Sequence, residues 1–213
     1  MRKVTTLILA ALAVLASASL ARAADPKPDP SKKASVEDRQ KQRKEAFGAA
    51  VSTKDFDKAL SILEEMIKDK EVSEDDRFKA GCAQFGILAT EKKDGGKACP
   101  LAKKLSESKK DDATLLNELA WTILDTPDLK NRDLDVALAI AKRAAKVSKY
   151  VDGPILDTLA RAYFEKGDLD KAIEFQTKAV EKCQNNDTIS DEIKEQVKET
   201  LEKYQNKKAE KIS

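Results

Sequence analysis

From about residue 35 to residue 187 the apolar positions recur three and four residues apart, the spacing that lines up one face of a helix. The clearest stretch places Leu156, Leu159, Ala160 and Tyr163 on one stripe. Ala172, Ile173, Phe175 and Ala179 form the next. Between them, Gly167 suits a left-handed turn and Asp168 suits an N-cap that also complements the helix dipole. Pro154 suits the first helical position. Two apolar stripes joined by a short polar turn predict a helical hairpin.

The same grammar returns along the chain. Asp55-Phe56-Asp57-Lys58-Ala59-Leu60 recurs as Asp133-Leu134-Asp135-Val136-Ala137-Leu138 and as Asp168-Leu169-Asp170-Lys171-Ala172-Ile173, with a poorer copy at Asp94-Gly95-Gly96-Lys97-Ala98-Cys99. Ala59, Ala98, Ala137 and Ala172 are 39, 39 and 35 residues apart, a regularity that predicts stacked units over residues 35–187. Each acid is expected to start a second helix, and each alanine to lie where two helix backbones approach. Hairpins are expected over 36–70, 76–107, 115–148 and 154–184, with Pro100 in the first turn of its helix. A loop around residues 126–131 lengthens the third turn. After them, Ile189, Ile193, Val197, Leu201 and Tyr204 mark one narrow stripe in a capping helix and tail over 188–213.

The N-terminus reads differently. Met1-Arg2-Lys3, an apolar run of 17 residues from Val4 to Leu20 and then Ala21-Arg22-Ala23 follow the order of a secretory signal, predicting cleavage after Ala23. Residues 24–34 carry three prolines at alternate positions and predict an extended tether. The expected location is therefore periplasmic or secreted, with no membrane attachment after cleavage. Residues 1–23 hold Arg2, Lys3 and Arg22 and no acid, so the remaining chain carries 37 bases against 38 acids. That near balance, with both signs interleaved, argues against nucleic acid as the partner. Aromatic residues make up 5% and charged residues 37%, which favours helix over sheet and an all-α class.

Leu159, Ala160, Tyr163, Gly167, Asp168, Ala172 and Ala179 resemble a tetratricopeptide repeat, whose unit is a helix-turn-helix of about 34 residues. Gln176 stands where that family has an aromatic, and Gln184 where it often has Pro. The resemblance also covers Leu119, Ala120, Ala137 and Ala144, extends to Phe85, Gly86, Ala98 and Leu105, and fades before them. It implies an α-solenoid of about four hairpins with a C-terminal capping helix, working as an exported scaffold that holds a protein or peptide partner in a concave groove. Residues 116–181 are also similar to repeat pairs found beside thioredoxin-like domains in exported bacterial proteins, which implies an accessory subunit of a thiol-redox system as an alternative. A structural or assembly subunit of the cell envelope is the third reading.

Chemistry is sparse. The chain has no His, the commonest general base, and Gly95-Gly96 lacks the Lys-Ser/Thr of a phosphate loop, so neither an enzyme, a metal nor a cofactor is expected. Cys82, Cys99 and Cys183 are an odd count that allows at most one internal pair, and the Cys82 to Cys99 spacing fits neither a redox nor a zinc pattern. If first helices line the inner face, Asn117 and Trp121 lie beside Asp157 and Arg161 and form the expected partner-binding set, Trp121 as anchor. Core packing of Trp121 between units is the competing reading. The Lys, Asn and Arg set with which some family members clamp a terminal carboxylate is not assembled, since Val51, Ser52, Ile87 and Thr90 hold the corresponding face.

Overall fold

The computed structural model describes residues 35–212; the signal and tether expected over 1–34 lie outside them. The described residues form nine α-helices and no strand, and the helices pack in sequence-adjacent pairs. Contacts divide the chain into two compact units that meet between Lys92 and Lys93.

The first unit holds α1 (Val36–Ser52), α2 (Phe56–Lys68), α3 (Glu74–Gly86) and a five-residue π segment (Ile87–Glu91). Ser35 opens α1 with a reciprocal capping box to Asp38. Phe47 and Ala50 of α1, Ala59, Leu63 and Met66 of α2, and Ala80 and Ala83 of α3 bury one shared core. The second unit holds α4 (Gly95–Ser108), α5 (Ala113–Asp125), α6 (Leu134–Val147), α7 (Gly153–Glu165), α8 (Leu169–Gln184) and α9 (Asp191–Ile212). Here α5 pairs with α6, α7 with α8, and α9 lies on α8.

Aspartate starts both kinds of helix. Asp55, Asp94, Asp133 and Asp168 cap α2, α4, α6 and α8 as the repeat predicts, each accepting the amide three residues on at 3.0–3.2 Å. Asp112 and Asp152 do the same for α5 and α7, at 3.0 Å each, which the sequence reading did not single out. Each such cap is worth about 1 kcal/mol. Ala59, Ala98, Ala137 and Ala172 are all fully buried, and Gly167 has φ +81°.

Two expectations need correction. The stretch 76–107 was expected to fold as one hairpin, but the boundary between the units falls inside it. Its second half is instead tied forward within the second unit: the Lys130 amide donates to Lys93 O and the Gly95 amide donates to Lys130 O, at 3.0 and 2.8 Å. A Cβ at Gly95 would sit 2.5 Å from Lys130 O, so this position admits only glycine. The loop around 126–131 is thus a strap pinned to the start of α4, and Arg132 also holds it by donating to the carbonyls of Leu124 and Thr126. Pro100, expected in a first turn, is the sixth residue of α4, because the Asp94 cap starts that helix earlier. It has no N–H for the Gly96 carbonyl and keeps its ring on the solvent side.

Gly153 closes the last hairpin. A methyl group there would overlap Cys183 Sγ and press on the Ala179 carbonyl at 3.1 Å, and Cys183 is fully buried and has nowhere to retreat. We expect Gly153→Ala to lose about 1–3 kcal/mol by overpacking, and adding Cys183→Ala to recover part of that loss. Urea unfolding of the four chains of this cycle checks it, and simple additivity would show that the two positions do not collide.

Candidate functional site

In the second unit, α6 and α8 both pack extensively on α7 and make no comparable contact with one another. A groove of about 760 Å³ is left between them. Its floor is Leu159 and Tyr163 of α7. Lys142, Arg143, Lys146 and Val147 of α6 make one wall, continued by Tyr150, and Phe175 of α8 makes the other. Glu107, Lys110 and Asp111, at the end of α4, close one side.

The aromatic rings form a stack. Phe175 lies parallel to Tyr163 with centroids 5.5 Å apart, and Tyr150 stacks on Phe175 at 6.4 Å. Lysine ammonium groups lie over two of these rings: Lys142 and Lys171 lie 5.4 and 5.2 Å from the Tyr163 centroid, and Lys178 lies 5.0 Å from that of Phe175.

Tyr150 is held at this rim by an unusual chain path. Lys149 and Tyr150 both adopt left-handed conformations, φ 55° and 60°, without a glycine between them. The Tyr150 amide turns back to donate to Ala145 O at 2.8 Å, so the end of α6 is satisfied, yet each non-glycine residue there costs on the order of 1 kcal/mol. Among the described residues, Tyr150 and Val151 are the large apolar side chains left exposed, at 46% and 66%. Strain is thus retained beside apolar surface left open to water.

The four residues expected from the sequence lie elsewhere. Asn117 and Trp121 are half-buried, one turn apart on α5. Asp157, expected to face a groove, is 5% exposed and accepts from Gln176 Nε2 at 2.8 Å. The same nitrogen donates to Val197 O at 3.0 Å, so Gln176 joins α7, α8 and α9. Half-buried Arg161 pairs with Glu165 at 2.8 Å. Over this corner, α9 sets Tyr204, 1% exposed, with its ring stacked on Phe164 at 4.3 Å. Asp157 and Arg161 therefore belong to a largely buried polar joint under the last helix. In the sequence Gln176 stands out only as a departure from the tetratricopeptide pattern; the groove between second helices leaves no such mark, because its stack joins Tyr150 and Phe175 across two hairpins.

All three cysteines are buried, and burial pushes the Cys99 thiol up from its ordinary value, with a smaller opposing effect from the Asp133 amide 3.4 Å away. Among the described residues no group of three or more Cys, Asp or Glu side chains could hold a metal ion, and no helix is long and apolar enough to cross a membrane. No family model matches the chain, and no curated protein or solved structure matches it significantly.

Burial, then the Asp157 carboxylate, pushes the Tyr204 phenol upward, with Arg161 partly opposing. The folded chain then keeps a proton that the unfolded chain releases near pH ~10, so stability intact below that pH falls as pH rises past it. Tyr204→Phe removes a buried hydroxyl that has no well-formed hydrogen bond. It is expected to leave stability at neutral pH unchanged or slightly higher and to move alkaline unfolding to higher pH. Circular dichroism against pH reads both, and an unmoved alkaline midpoint would assign that transition to other groups.

Proposed function

We propose that this chain is an exported holder of another protein, a non-catalytic stack of helical hairpins of the tetratricopeptide kind, and that it takes a peptide segment of its partner in the groove between α6 and α8. Export rests on the basic, apolar and small-residue order of residues 1–23, and the repeat reading on the recurring Asp and Ala positions.

The observation that carries the reading is Tyr150. A well-packed helix end has no reason to keep two adjacent left-handed residues and a half-exposed ring, and strain of this kind is retained where a surface is used. The groove behind it has the volume of a ligand site and a floor of buried apolar side chains. An aromatic anchor at its rim supplies contact area at low entropic cost.

Tyr150→Asn removes the ring while keeping a residue that tolerates positive φ, so the fold is expected to stand. Peptides selected from a random display library against the purified chain should bind with micromolar affinity and lose about 1.4 kcal/mol or more, roughly tenfold, with this variant at an unchanged melting temperature. Calorimetric titration checks it. Peptides that bind the variant equally well but are lost with Trp121→Ala or Arg161→Ala would put the site on the first helices instead.

A further inference from the structure

We infer that the segment taken by the groove is acidic, with one aromatic or aliphatic anchor flanked by carboxylates; this rests on the peptide-holding reading above and names its ligand. The argument is charge. Lys110, Lys142, Arg143 and Lys146 line the groove against Glu107 and Asp111, an excess of two positive charges.

These four cations are not neutralised by a direct ion pair, although Lys142 lies over the Tyr163 ring and within electrostatic reach of the Asp168 carboxylate. Several other lysines of the second unit are paired, Lys171 with Asp168 at 3.0 Å, Lys178 with Glu174 at 2.6 Å and Lys166 with Asp135 at 2.7 Å. Among the described residues none of the four groove cations forms an ion pair. Arg143 is instead aimed by its hydrogen bond to Ser106 O at 3.0 Å, which leaves its other nitrogens for a ligand. Lys142 sits over Tyr163, where an entering carboxylate would meet it beside the apolar floor. A cation without a paired carboxylate at the edge of an apolar trough is neutralised best by an acid arriving with the apolar anchor.

A polypeptide fits this surface better than a nucleic acid. Single-stranded nucleic acid binds by stacking bases on open aromatic faces. Here the faces of Tyr163 and Phe175 are already taken by one another, by Tyr150 and by Lys142, Lys171 and Lys178, which leaves Tyr150 as a single open ring and no run of platforms for successive bases. Glu107 and Asp111 at the groove's edge would repel a continuous phosphate chain, whereas a peptide can place a neutral or basic residue there. The anchor's position is set by Tyr150, which lines the groove and is 46% exposed.

The test is fluorescence anisotropy on the full purified chain with three fluorescein-labelled probes of similar length: a peptide with one Trp among Asp and Glu, its counterpart with Lys and Arg, and oligothymidylate. The acidic peptide is expected to bind at least tenfold more tightly than the other two and to weaken markedly as salt rises, because exposed charges are screened over a Debye length of about 8 Å at physiological ionic strength. Lys142→Glu with Lys146→Glu, both exposed on α6, should cost the acidic probe at least tenfold and favour the basic one. Equal or tighter binding of the basic peptide or of oligothymidylate would overturn the inference. So would an acidic probe indifferent to both substitutions. If library-selected peptides of other charge still depend on Tyr150, the holding function survives and the acidic ligand does not; if no peptide depends on Tyr150, both fall.

Discussion

Each hairpin in this chain is limited by how closely two helix backbones can approach, and that limit is set by a methyl group. Ala59, Ala98, Ala137 and Ala172 each sit fully buried on the second turn of a helix that an aspartate has just started. A larger side chain at any of them would push the helix off its neighbour, because packed helices settle at separations fixed by the residues at the crossing. Gly153 carries the same constraint to its limit, since there even a methyl group meets the Cys183 sulfur. With the crossings fixed, what remains between helices that share a neighbour but not each other is also fixed, and the groove over α7 is such a remainder.

The hairpins were legible because their causes are local. An aspartate, three residues and a small apolar side chain encode a capped helix and its point of closest approach, and both signals lie within five residues. The division between units was not legible, since what ties α4 forward is the backbone of residues 93–95 meeting Lys130, a bond between amides that no side chain announces. The groove was hidden for a different reason. Lys142, Tyr150, Tyr163 and Phe175 come from three segments, and on each segment alone they read as an ordinary charged or core position. Trp121, the natural anchor by composition, lies half-buried on α5 outside that groove.

Gln176 shows how a departure from a pattern can be informative without being functional. On the sequence it is a missing aromatic. In the fold its amide spends both protons, one on Asp157 and one on the Val197 carbonyl, so a side chain that would otherwise only fill space fixes how α9 lies on the last hairpin. Buried hydrogen-bonded polar groups of this kind contribute little net stability and much specificity of register. A purely apolar contact along the sparse stripe of α9, where Val197 and Tyr204 are the fully buried side chains, would let the helix slide by a turn.

The same joint determines what the chain would present if α9 came away. Removing a cover usually bares an oily face that recruits other molecules. Here the uncovered corner would offer a mixed surface: the Phe164 ring on which Tyr204 stacks, beside a carboxylate, an amide and an Arg161–Glu165 pair that water takes up readily. The end of the last hairpin is therefore wettable only in part beneath its lid, and detachment of the terminal helix would hydrate the polar corner while leaving the Phe164 ring bare.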